Sequence, residues 1–209
     1  MKVLGISGSP RQGQTTDILV QEVLNGVEGD TEFISLSGKR IGSCLGCLGC
    51  VKDNVCKIKD DMSELRQKIV AADALVIGAP NYYGMLNSLS HCFWERFYQF
   101  RHREGDEIAG KLGVAVGVAG RTPDLPVRDI ENFFTYNKIE CIGAVTAVGP
   151  ASCFTCGHGE TCRAGSIHMT FGPGTKITKA ITPDLAKQQE KIAQARALGR
   201  ELGNRLLMR

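Results

Sequence analysis

No apolar run in the sequence approaches the ~20 residues needed to cross a bilayer. The first residues, Met1-Lys2-Val3-Leu4-Gly5-Ile6, run straight into a strand pattern without the charged n-region, long h-region or cleavage site of a signal peptide. Both absences argue against membrane association and secretion, and the expected location is cytoplasmic. Charge of one sign is also missing. There are 25 Lys+Arg against 22 Asp+Glu, a formal net charge of +3, with no concentrated basic stripe, so nucleic acid is not an expected partner. The mild positive bias would suit an anionic cofactor or an acidic electron donor. Low-complexity tracts, interdomain linkers and whole-domain repeats are absent. So are the marks of hydrolytic chemistry: there is no nucleophile elbow, no zincin helix and no evident carboxylate pair.

A chain of 209 residues, 43% of them hydrophobic, can build one domain with a real core, or one domain with an appendage. Apolar runs alternate with helical periodicity. Strands are expected at 3–7, 31–36, 74–79, 112–119 and 140–148, and helices at 16–27, 61–72, 86–100, 126–137 and 183–207. Pro183 is expected in the first turn of the last helix. Residues 37–59 and 151–178 have no clear periodicity. Continuous apolar strands between helices indicate a parallel sheet covered on both faces. The expected fold class is therefore α/β, a flavodoxin-like, doubly wound, five-stranded parallel sheet of order 2-1-3-4-5. The expected division is a domain at 1–150, which includes a cysteine loop at 37–60, and a cysteine-bearing loop and helix at 151–209 packed on it.

Between the first strand and first helix lies Gly5-Ile6-Ser7-Gly8-Ser9-Pro10-Arg11-Gln12-Gly13-Gln14-Thr15-Thr16. It is neither a P-loop nor the GxGxxG fingerprint. Its place at a helix N-terminus suits an anion, with backbone N–H groups and the helix dipole pointing at it. The hydroxyls of Ser7, Ser9, Thr15 and Thr16 and the charge of Arg11 are candidate additions. The alternative is an ordinary turn with hydroxyl caps.

Nine cysteines are many for a chain expected in a reducing compartment, where they signal metal or redox chemistry rather than structural disulfides. Their odd number rules out complete internal pairing. Cys44, Cys47, Cys50 and Cys56 stand at C-x2-C-x2-C-x5-C spacing, so four thiolates within thirteen residues can wrap one compact centre. Iron–sulfur clusters are held by such sets. Structural zinc also accepts four thiolates, but more often from two separated CxxC knuckles. Free thiols in a loop are the plain alternative. A second group, Cys153, Cys156 and Cys162, repeats the spacing of Cys47, Cys50 and Cys56. It is open to a second metal, with Cys141 or His158 as fourth ligand, or to a disulfide. Cys92 reads as a buried helix residue.

Ser7-Gly8-Ser9-Pro10-Arg11 followed by Gly13-Gln14-Thr15 resembles the FMN phosphate loop of the NADPH-dependent FMN reductase-like flavoproteins, with Gln14 in place of the common Asn. Gly78-Ala79-Pro80-Asn81-Tyr82-Tyr83-Gly84-Met85 is similar to that family's "SPVYFG" segment along the flavin ring. Leu89, Phe93, Trp94, Glu95 and Arg96 echo its "LKxFxDR" helix, with His91, Cys92 and Glu95 departing from it. The cysteine loop with Lys57-Ile58-Lys59-Asp60-Asp61-Met62 resembles the compact motif of the iron–sulfur flavoproteins, across roughly 1–149.

The resemblance implies FMN held by Ser7, Ser9, Pro10, Arg11, Gln14, Thr15 and Thr16, by Pro80, Asn81, Tyr82, Tyr83 and Gly84, and by Ala119, Gly120 and Arg121. It implies a [4Fe-4S] cluster on Cys44, Cys47, Cys50 and Cys56, and a homodimer or homotetramer. Phe93, Trp94, Phe97 and Phe100 are either an interface or core packing. The expected function is redox: electron transfer between FMN and the cluster, from ferredoxin or NAD(P)H to an acceptor the sequence does not name. The alternatives are an NAD(P)H-dependent FMN or quinone reductase without a cluster, and a non-enzymatic metal-binding module.

Overall fold

The continuous apolar runs form central strands, because both of their faces are covered. In the computed structural model, which describes residues 1–209 apart from the side chain of Arg103, the strands are β1 (Lys2–Ser7), β2 (Asp30–Ser35), β3 (Ala74–Tyr82), β4 (Met85–Leu86), β5 (Leu112–Ala119) and β6 (Glu140–Val148). The sheet order is β2-β1-β3-β5-β6, with β4 paired antiparallel to the end of β3. Its five long strands are all parallel and have the expected 2-1-3-4-5 order.

Alternate residues of each strand enter different cores. Val3, Ala74, Val76, Leu112, Val114 and Val116 pack with Leu19, Val20 and Val23 of α1 (Thr15–Leu24) and with Ala195 and Leu202 of α6 (Gln189–Leu207). Leu4, Ile6, Leu75, Ile77 and Ala115 face the other way. There they meet α2 (Met62–Ala71), α3 (Ser88–Glu95) and α4 (Asp124–Tyr136). This period of two is what a strand buried on both sides requires.

Three sequence expectations change. The helix expected over 86–100 is α3 followed by a 3-10 helix, Arg96–Arg101. Phe93, Phe97 and Phe100 are fully buried there, and Trp94 stacks on Phe133 at 4.7 Å, so the three phenylalanines are core rather than interface. Cys92, on α3, is half-buried. Pro183 is not in the first turn of the last helix. Asp184 caps a separate 3-10 turn, Leu185–Lys187, and Gln188 has non-helical dihedrals. The Gln188 side chain accepts from Val148 N–H at 2.9 Å and donates to Val148 C=O at 2.8 Å, which anchors it to the end of β6 and delays α6 to Gln189. The segment read as loop-like at 151–178 contains a 3-10 turn, Ser152–Phe154, and the short helix α5 (Ser166–Phe171).

Candidate functional site

The carboxyl ends of β1, β3, β5 and β6 bring the sequence-predicted loops together, as a doubly wound sheet places its ligand crevice. The loop after β1 is shaped by its own hydroxyls. Ser7 Oγ accepts from Ser9 N–H at 3.3 Å, and Ser9 Oγ accepts from Arg11 N–H at 3.1 Å. Ser7, Ser9, Thr15 and Thr16 are buried, while Pro10 and Gln14 are exposed. Arg11 spans the crevice and donates from Nη1 to Pro150 C=O at 2.9 Å, so it braces the loop after β6. Asp17 was not singled out from the sequence. It is buried in the first turn of α1 and accepts from Gly13 N–H at 2.8 Å, while its other oxygen has no partner among the described residues. The first-turn N–H groups of α1 have no partner within the helix, which is what an anion there would use.

The "ring" loops meet across a cleft of about 270 Å³. Asn81, Gly84, Ala119, Gly120 and Arg121 line it, as do Thr122, Ala151, Phe154, Ser166 and Phe171. Asn81 joins two of the loops. It donates to Thr122 C=O and Oγ1 at 3.0 and 2.8 Å and accepts from Gly84 N–H at 2.9 Å. Pro80 is buried in β3 and does not reach the cleft. Tyr82 and Tyr83 are not in its lining either. Tyr83 and Gly84 both have positive φ, 55° and 81°, as a two-residue hairpin turn requires, and this throws the Tyr83 ring fully into solvent. Phe154, Ser166 and Phe171 could not be found from sequence, because they arrive from a segment without periodicity.

The cysteine loop follows β2 and has almost no regular structure. Its shape is imposed mainly by the stretch from Glu95 to His102, with Arg66 of α2 donating to Asn54 C=O at 3.0 Å. Glu95 accepts from Cys44 N–H at 3.0 Å. Gln99 accepts from Cys56 N–H at 3.0 Å, and His102 Nε2 lies 3.2 Å from Cys50 Sγ. Arg96 is buried and donates to both carboxylate oxygens of Asp60 at 2.5 and 3.0 Å; Asp60 and the nearby Cys56 favour its charge. In a 3-10 helix, side chains three apart eclipse. Arg96, Gln99 and the following His102 therefore form one row, whereas an α-helix would turn each about 60° from the last.

Burial pushes the Cys50 thiol up, and the neighbouring Cys56, Cys44 and Cys47 add to this. Burial alone would raise Asp60 too, but the Arg96 guanidinium and the N–H groups of Gly42 and Met62 hold it below the usual carboxylate range. Among the described residues no three His, Cys, Asp or Glu side chains converge as a metal-holding group. The loop thus gathers four thiols without fixing their sulfurs on one centre. The donor set suits an iron–sulfur cluster: four thiols, a buried cation beside one of them, and an Arg96 Nε–H buried without a partner among the described residues.

The second cysteine group lies beyond β6. Cys141 is excluded from it. It sits near the start of β6, beside Gly113, while Cys153 follows the far end of that strand. All nine cysteines are free thiols. The hydroxyl of Ser166 and then its backbone N–H, at 3.2 Å, hold the Cys153 thiol below its usual range.

Residues 1–150 match the family profile described as NADPH-dependent FMN reductase. An iron–sulfur flavoprotein of Methanocaldococcus jannaschii is 38% identical over 149 residues, covering 68% of this chain and 76% of the relative. Another, of Archaeoglobus fulgidus, is 32% identical over 143 residues, 66% and 73% of the two chains. RosB with a bound flavin intermediate superposes with a TM-score of 0.66 at 15% identity, covering 100% of this chain and 81% of that one. An FMN-dependent NADH-azoreductase of Bacillus anthracis, in complex with FMN, gives 0.61 at 13% identity, covering 97% and 100%. The two structures bear on the fold alone. No helix is long and apolar enough to cross a membrane, among the described residues.

Proposed function

Because the chain belongs to the NADPH-dependent FMN reductase family, among its iron–sulfur flavoproteins, we propose that this flavin-dependent oxidoreductase passes electrons between FMN in the cleft and a [4Fe-4S] cluster on Cys44, Cys47, Cys50 and Cys56. The flavin exchanges electrons singly or in pairs and the cluster carries one at a time, so together they link two-electron and one-electron carriers. Reduced ferredoxin and NAD(P)H are the candidate donors. Residues 1–150 are the flavin-binding unit, and 151–209 pack on the same domain.

One observation carries this reading: the row Arg96, Gln99 and His102, with Glu95, that grips the cysteine loop. Gln99 and Glu95 fix the backbone at the two ends of the thiol set. Arg96 holds a positive charge against the Cys56 sulfur in a poorly solvated place, where charges interact more strongly than in water. The N–H groups opening α1 receive the FMN phosphate, Arg11 ties the phosphate loop to Pro150, and Asn81 keeps the ring loops at a fixed separation.

The test is a visible spectrum with iron, acid-labile sulfide and flavin counts on anaerobically purified protein. The expected result is about one FMN and about four irons per chain. Flavin without iron or sulfide, together with rapid NADPH oxidation on added FMN or quinone, would make the chain a reductase without a cluster.

A further inference from the structure

The family profile ends at residue 150, so the C-x2-C-x5-C group beyond it is not explained by the site above. The segment that carries it has little core of its own; Ile167 is its buried hydrophobic residue, and α5 is its one α-helix. Segments with so little buried apolar surface usually need a staple.

The backbone around these cysteines is arranged toward their sulfurs. Gly157 follows Cys156 with φ +81°, a conformation that turns the next peptide back, and His158 N–H then points at Cys156 Sγ, 3.4 Å away. Ser166 N–H donates to Cys153 Sγ at 3.2 Å. A Cβ built on the adjacent Gly165 would lie 3.4 Å from Cys162 Sγ, so the Cys153 and Cys162 sulfurs flank neighbouring residues of one turn. Gly159 closes the group. A Cβ there would stand 2.0 Å from the Cys153 carbonyl oxygen, an approach only glycine permits. Cys162 N–H donates to His158 C=O at 2.9 Å, which makes one helical turn and puts His158 and Cys162 on the same face.

We propose that Cys153, Cys156, Cys162 and His158 form a zinc site, separate from the loop at 44–56. Three thiolates and one imidazole are a closed tetrahedral Zn²⁺ set, whereas an iron–sulfur cluster ordinarily takes four thiolates. Cys156, His158 and Cys162 are exposed. As they stand these side chains and Cys153 do not converge on one centre, and binding the ion would draw the three exposed ones together with it. The N–H groups already aimed at the sulfurs of Cys153 and Cys156 are the hydrogen bonds that stabilise metal thiolates. Bound there, the ion would pin the segment whose Phe154, Ser166 and Phe171 wall the cleft.

The experiment is elemental analysis of the purified full chain as wild type and as Cys47→Ser, Cys156→Ser and His158→Ala. The expected result is about one zinc per chain in the wild type and in Cys47→Ser, with at least a tenfold loss in Cys156→Ser. His158→Ala should release zinc to a mild chelator faster than wild type. Added Co²⁺ should give the Cys47→Ser protein the visible bands of a tetrahedral sulfur-rich site, a readout that does not depend on whether Cys156→Ser folds. The proposal is overturned if the wild type holds no zinc and takes up no Co²⁺, if zinc follows Cys47 instead of Cys156, or if Cys156→Ser loses iron in place of zinc.

Discussion

The two cysteine segments share a spacing and have little regular structure, yet they are held in opposite ways. The loop at 44–56 is gripped from far along the chain: Glu95 is 51 residues from Cys44, Gln99 is 43 from Cys56 and His102 is 52 from Cys50. The segment at 153–162 is held by its own close neighbours, with Ser166 13 residues from Cys153 and Ile177 17 from Glu160. A loop without a hydrophobic face can be fixed by a rigid neighbour or by its own turns. The first way ties the site to distant parts of the core; the second rests on contacts within the segment itself.

The largest effect that would break this comparison is on iron. Cys47→Ser is expected to take iron from about four per chain to less than one with flavin retained, whereas Cys162→Ser leaves both unchanged. Iron loss in both would mean the segments build one centre. Next in size is Asp60→Ala, which strands the buried Arg96 charge. Denaturant unfolding should show a loss of about 3–5 kcal/mol. Gly159→Ala drives a methyl group into the Cys153 carbonyl and should cost about 1–3 kcal/mol in the same assay, without altering iron content.

Acid sharpens the contrast further. Asp60 is held below its usual value in the folded protein, so its stabilising contribution is complete above about pH 4, the ordinary value, and is lost as pH falls toward the depressed folded value. Wild-type stability should therefore drop more steeply below pH 4 than that of Asp60→Ala; parallel curves would show that the pair does not act this way. The smallest effect is expected at Lys176, 78% exposed beside Glu160. Such pairs contribute little, and Lys176→Ala should leave the unfolding midpoint where it is.

Much of the site was legible locally. The cysteine spacing, the Ser7–Thr16 loop and the three strand ends could be read because each lies within a few residues of its own partners. What was missed shows the limit. Glu95 looked like a departure from a motif until it was found on Cys44 N–H. Arg11, a candidate charge for the phosphate, also braces Pro150, 139 residues away, a contact no local pattern shows. Tyr83, a candidate to flank the ring, stands exposed at the tip of its hairpin, a placement set by the turn. Pro183 suggested a helix start, but the bond from Gln188 to Val148 displaced it to Gln189.

The apolar runs pointed to a parallel sheet, since strands covered on both faces are apolar along most of their length, and their alternation with helices fitted the order 2-1-3-4-5. The sequence by itself also determined that thiols cluster in two places, since spacing is local. Which side chains stand against those thiols was set by the packing of distant segments. The row Arg96, Gln99, His102 exists because the chain tightens from α-helix to 3-10 after Glu95, and periodicity carries no signal for that change. The same folding brings Phe154, Ser166 and Phe171 to the wall of the cleft, because contacts between distant segments depend on how the chain folds back, and sequence pattern does not encode them.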